Sequence, residues 1–168
     1  MLIEMKVAGV MVDPVNLTPI VALKDSENKY TLPIWVGVSE ASAIMMEMEG
    51  IKPPRPYTHD LLRNVFNTLG VIVTKVEITE LKDNTYYAII FLRAGDLNIS
   101  SILFCDNIIA LALRMAAPIF VEKSVIDKSI ESIISASTVS DVNPEEKKKT
   151  YDELLKHFKN ADFGKYKM

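Results

Sequence analysis

Apolar positions along the chain fall into strand-length runs separated by polar turns, with helical stretches set between them. Residues 2–12 carry Ile3, Met5, Val7, Val10 and Val12 in an extended pattern, and Gly9 marks a bulge or close approach. After Asp13-Pro14, residues 18–24 read as a second strand and DSENK as a hairpin loop. Residues 29–36 read as a third strand, in which Pro33 suits an edge or bulge because proline cannot donate to a ladder. Ser39 is then a candidate N-cap, with Glu40 in the first turn of a helix. Ala41, Ile44, Met45 and Met48 give that helix one apolar stripe, and Gly50 ends it.

The three prolines of IKPPRPY, residues 51–57, predict a stiff extended connection. Thr58 is the N-cap candidate of a second helix, with His59 and Asp60 in its first turn; Leu61, Leu62, Val65, Phe66 and Leu69 form the stripe expected to be buried. Residues 71–79 predict a strand with Ile72, Val76 and Ile78 on one face and Lys75, Glu77 and Thr79 on the other. Asp83-Asn84 suits a tight turn, because both residues tolerate left-handed geometry. Residues 86–92, YYAIIFL, are apolar on both faces, so this strand is either central or covered by a partner chain. Residues 97–104 form the next strand and 105–115 a third helix, with Asp106 in its first turn and Arg114 in its last. A short strand at 118–122 and a small amphipathic helix at 124–133 follow.

Hairpin-linked strands dominate this order, and helices interrupt them without strict alternation. The predicted fold is therefore α+β: a mixed, mostly antiparallel sheet packed with helices, plus a short C-terminal helical tail. Residues 1–133 make the domain and the polar, turn-rich segment 134–144 a linker. Residues 145–168 hold an amphipathic helix with Tyr151, Leu154, Leu155 and Phe158 on its stripe.

Composition narrows the function classes. With 49% hydrophobic and 24% charged residues in 168, the chain can build a core. No run approaches the roughly 20 apolar residues of a membrane-spanning helix. The N-terminus lacks the basic start of a signal peptide, so a cytoplasmic location is the expectation. The net charge of −3 offers no long-range attraction for nucleic acid, although a local basic patch would suffice. A single cysteine, Cys105, excludes an intramolecular disulfide and reads as a packing residue. Two histidines, His59 and His157, cannot supply a three-histidine zinc site. Nucleotide-binding glycine loops and zinc-protease or serine-hydrolase signatures are missing as well.

One constellation carries chemistry. Arg55, Thr58, His59 and Asp60 cluster where the proline-stiffened approach enters the second helix. Free amides at a helix start bind anions, Arg55 could grip a phosphate with two hydrogen bonds, and His59 titrates near neutral pH. The plainer alternative is that Thr58 caps, Asp60 complements the dipole and His59 covers the helix end. Glu40, Asp106 and Asn107 also stand at helix starts. If Glu40 and Asp106 converge, their oxygens could hold a divalent cation, the only cofactor considered; dipole complementarity also explains both.

Residues 32–62, LPIWVGVSEASAIMMEMEGIKPPRPYTHDLL, resemble the signature of the bifunctional nuclease (BFN) family, in which a strand–helix unit leads into PPRP-THDLL. LKDNTYYAII at 81–90 and IALALRMAAPIFV at 109–121 resemble two further family segments in the same order. The resemblance covers roughly residues 1–130 and places Glu40, Arg55, Pro56, Thr58, His59, Asp60 and Arg114 on matching positions. It implies a compact α+β domain, homo-oligomers, and hydrolysis of RNA and DNA. On that reading His59, Asp60 and Glu40 are the catalytic candidates; Arg55, Thr58 and Arg114 would contact substrate phosphate; Glu40 and Asp106 would be the metal ligands. Before the third helix the family reads D-A-R-P-S-D-A, whereas here Ile102 replaces the first acid, Phe104 the arginine and Asn107 the second acid. The rival reading is a non-catalytic homo-oligomeric module for protein or small-ligand contacts that has lost this segment. DELLKHFKNADFGKYKM faintly resembles the first helix of a partner-binding hairpin found at the end of family members, so the tail is expected to contact a protein.

Overall fold

The strand-length runs pair into one seven-stranded sheet in a computed structural model that describes residues 1–13 and 17–136. In chain order the strands are β1 (Leu2–Val12), β2 (Pro19–Asp25), β3 (Thr31–Trp35), β4 (Val71–Lys82), β5 (Thr85–Ala94), β6 (Leu97–Phe104) and β7 (Ile119–Glu122). The helices are α1 (Val38–Met48), α2 (Thr58–Thr68), α3 (Cys105–Arg114) and α4 (Lys123–Ala136). The linker and tail expected beyond α4 lie outside the described residues from position 137 on.

The sheet order is β3-β2-β1-β7-β4-β5-β6. All neighbours are antiparallel except β4 and β7, so the sheet is mixed and mostly antiparallel, and the fold is α+β as predicted. Two antiparallel meanders, β1–β3 and β4–β6, meet only through the four-residue β7. The predicted bulge at Gly9 is present as a register shift between Val7 and Gly9. Pro33 sits on the edge strand β3, where a missing donor costs no ladder bond. Asp83 and Asn84 form the β4–β5 turn with φ of 50° and 56°.

Five local expectations are corrected. α1 starts on Val38 behind Gly37 and α2 starts on Thr58 behind Tyr57, so neither Ser39 nor Thr58 is the N-cap. A second register shift, between Val73 and Lys75, turns Val73 inward with Val76 and Ile78 and leaves Ile72 half exposed. Met48 ends α1 in solvent at 41% exposure, off the buried stripe. The stripe of α2 is not buried either. Leu61, Leu62, Val65 and Leu69 are 39–68% exposed, Phe66 alone of the five packs on the core, and the buried residue of the helix is Asp60. The reason is placement: α3 lies between α1 and α2, so α2 has protein on one side only.

The core lies between the sheet and the helices. Ile108, Ile109, Leu111 and Cys105 of α3 pack there with Val76, Ile78, Ala88 and Ile90 of β4 and β5. Each large side chain among them contributes roughly 1.5–3 kcal/mol of transfer free energy. α4 adds Val125 and Ile126 to this core and is also held by a polar contact. The Tyr86 hydroxyl donates to the Pro33 carbonyl (3.2 Å) and meets the Ser129 hydroxyl at 2.8 Å, Ser129 being fully buried. Burial pushes the Tyr86 pKa up to about 12, against the pull of the Ser129 hydrogen bond. Tyr86→Phe is expected to cost about 1–3 kcal/mol in urea unfolding, because two buried polar groups lose their partner. Adding Ser129→Ala should cost less than the sum of the two single changes.

Candidate functional site

The starts of α2 and α3 come together. The IKPPRPY approach leaves Arg55 exposed and delivers Thr58 and His59 to the first turn of α2. β6 runs directly into α3, with Phe104 as N-cap and no side-chain capping bond, so Asp106 and Asn107 fall in its first turn. His59 Nε2 lies 3.3 Å from Asn107 Oδ1. The Asn107 side-chain amide donates to Asp106 Oδ1 at 3.1 Å, and the same oxygen accepts the Asn107 backbone N–H at 2.8 Å.

These bonds assign the proton positions. Because Asn107 Nδ2 donates to the Asp106 carboxylate, its Oδ1 is the acceptor that faces His59. With this amide orientation a neutral His59 donates from Nε2, which leaves Nδ1 the unprotonated nitrogen of that tautomer. A carboxylate–amide–imidazole chain results, with the first-turn amides of two helices beside it.

Below this chain Asp60 and Arg114 engage each other. Arg114 Nε donates to Asp60 Oδ1 at 2.8 Å, and Arg114 Nη1 donates to the Ala110 carbonyl at 3.0 Å, with the guanidinium only 1% exposed. The other Asp60 oxygen accepts the Tyr57 N–H at 2.9 Å, and Arg63 approaches the pair at 3.7 Å. Burial alone would raise the Asp60 pKa, but the Tyr57 N–H, Arg114 and Arg63 outweigh it and hold the carboxyl below its ordinary value. The bridge ties the entry of α2 to the last turn of α3, and so fixes His59 with respect to Asn107.

Glu40 lies in the first turn of α1, where its Oε2 accepts the Ser39 hydroxyl at 2.9 Å. A side chain at position 37 would displace this carboxylate from its present place. Among the described residues no hydrogen bond joins Glu40 to His59 or Asp106, and no three His, Cys, Asp or Glu side chains form a group able to hold a metal. Asp106 also lines a shallow cleft of about 220 Å³ with Ile34, Trp35, Tyr86 and Phe104. Cys105, at its floor, is fully buried, and burial raises its thiol pKa well above the ordinary value, so it is inert as a nucleophile.

The structure thus joins His59 to the start of α3 and pairs Asp60 with Arg114. The contact that sequence reasoning left without a role is Asn107. The available signal was its place in the first turn of α3, directly after Asp106. No helix among the described residues is long and apolar enough to cross a membrane.

Comparison with known proteins fits these observations. The model of the bifunctional nuclease domain matches residues 21–133. Two relatives from Mycobacterium tuberculosis, the uncharacterized protein MT1877 of strain CDC 1551 / Oshkosh and the uncharacterized protein Rv1829 of strain ATCC 25618 / H37Rv, are each 40% identical over 124 residues. The match covers 73% of this chain and 73% of each relative. With its PPRPYTHD helix entry and its third helix inside the matched region, the chain belongs to the bifunctional nuclease domain family.

Proposed function

We propose that the protein binds RNA or DNA and hydrolyses phosphodiester bonds at the junction of α2 and α3. The observation that carries this reading is the Asp106–Asn107–His59 chain, which leaves His59 Nδ1 free beside two helix starts. His59 Nδ1 takes the proton of the attacking hydroxyl or water as general base. Arg55 and the Thr58 amide bind the phosphate, whose developing charge they stabilise. Asp60 and Arg114, read from the sequence as catalytic and phosphate-binding, act in this proposal as positioning residues, because each is occupied by the other. Glu40 has no assigned step, and neither does a metal.

The test is turnover of single-stranded RNA and DNA by protein purified away from host nucleases, with His59→Ala prepared identically. Loss of turnover in the variant supports the reading; equal turnover in both preparations assigns it to a contaminant.

A non-catalytic binding module is the second reading. It is favoured by Ile102 and Phe104, which are 68% and 58% exposed where family members carry an acid and an arginine. Nucleic acid bound without turnover would select it.

A further inference from the structure

We infer that the cleft beside Asp106 is a nucleobase subsite, which holds one nucleobase against Trp35 and Phe104 and selects those carrying an amino group through Asp106 Oδ2. The subsite rests on the reading that nucleic acid binds at the junction of α2 and α3, and adds to it a preference among nucleobases.

Both edges of the sheet build this cleft. Ile34 and Trp35 end the edge strand β3, and Phe104 ends the opposite edge strand β6. All three line the cleft together with Tyr86 and Asp106. The Tyr86 hydroxyl also reaches across to the Pro33 carbonyl of β3. The sheet therefore curls until the ends of its two edge strands come together, and the cleft is the gap left between them.

Two aromatic rings in it keep much of their surface in solvent. Trp35 is 41% and Phe104 58% exposed, although rings of this size gain from burial. Each is steadied by a neighbour. The Trp35 indole N–H donates to an Asp13 carboxylate oxygen at 3.3 Å, and the Phe104 ring lies tilted against Tyr87 with centroids 5.7 Å apart. Exposed rings held in place are stacking platforms for single-stranded nucleic acid, because every nucleobase offers a π-face.

Asp106 supplies the selectivity. Its Oδ1 accepts both Asn107 donors, whereas its Oδ2 accepts no hydrogen bond among the described residues. A carboxylate repels phosphate, so the cleft suits the uncharged part of a nucleotide. An ionised carboxylate accepts hydrogen bonds and donates none. Oδ2 therefore favours the amino group of cytosine, adenine or guanine and disfavours the carbonyl that uracil or thymine presents instead. The volume of about 220 Å³ is below the roughly 300–1,000 Å³ of sites for drug-sized molecules, which leaves sugar and phosphate outside. An arginine side chain would also suit aromatic rings and a carboxylate. The nucleobase is favoured because Asp106 is joined through Asn107 to His59, so the cleft opens beside the proposed phosphate site.

Trp35 is the single tryptophan of the chain, so its fluorescence reports the cleft directly. Cytidine monophosphate and uridine monophosphate, which exchange an amino group for a carbonyl, are titrated into the full chain. Saturable quenching is expected, with the cytidine nucleotide bound about tenfold more tightly. Phe104→Ala should weaken both about tenfold, and Phe104→Tyr should restore them. Asp106→Asn should reverse the preference. The Asn107 N–H keeps the amide oxygen at the Oδ1 position, and the amide nitrogen that replaces Oδ2 donates to the uracil carbonyl. Absence of saturable quenching, equal affinity for the two nucleotides, or a preference that survives Asp106→Asn overturns the inference. So does free arginine that quenches at lower concentration than either nucleotide, which gives the cleft to a basic side chain. Turnover by the wild type and His59→Ala is read separately: a nucleobase preference without turnover removes the hydrolytic reading and keeps the subsite.

Discussion

Replacing Arg114 with alanine is expected to cost about 3–5 kcal/mol of folding stability, the range for removing one partner of a buried ion pair. The guanidinium is 1% exposed and the Asp60 side chain 11%, so solvent cannot take over its role. Arg63, at 3.7 Å and 36% exposed, compensates little. Arg114→Lys should rescue only part of the loss, because one ammonium cannot reach Asp60 and the Ala110 carbonyl in the same geometry. Replacing both charges by apolar residues should be milder than Arg114→Ala alone. The pH dependence follows from Asp60. Its folded pKa lies below the ordinary 3.8, so its contribution is fully present above that value and is lost as pH falls through the folded pKa. Urea unfolding along a pH series should show this loss in the wild type and its absence in Asp60→Asn.

His59→Ala is expected to lower turnover of single-stranded substrate by about 10²–10⁴-fold, the range for a general base. The effect should lie in kcat, because the proposal leaves phosphate binding to Arg55 and the helix-start amides, which the substitution keeps. Asn107→Asp gives a finer test. It places a carboxylate about where Asn107 Oδ1 now lies, 3.3 Å from Nε2, and so favours the imidazolium. Because the base must be deprotonated, the rising limb of the pH–rate profile should then move to higher pH. Unchanged profiles in Asn107→Asp and Asn107→Ala would show that Asn107 does not orient the base.

The strands were legible because their turns are local: Asp83-Asn84 and Gly95 mark tight reversals whatever surrounds them. What failed depended on neighbours. The amphipathic stripe of α2 predicts a buried face, but periodicity reports only that a face exists and not whether this chain covers it. Ile72 was misplaced because the bulge after Val73 shifts the alternation by one residue. In the site, residue types identified the helix starts, but which polar groups satisfy each other is a long-range fact. Asp60 and Arg114 are 54 positions apart, and His59 and Asn107 are 48 apart. Nothing local distinguishes a carboxylate that faces substrate from one already holding an arginine.

The central position of β7 governs when the molecule can assemble. Either meander can zip up from neighbouring segments, but neither β1 nor β4 has its second partner until residues 119–122 have been synthesised. A chain growing on the ribosome would therefore hold two separate half-sheets, each with an open flank. Consolidation waits for one short insertion late in translation, and the loop closure it demands, from Leu2 to Glu122, spans nearly the whole described chain.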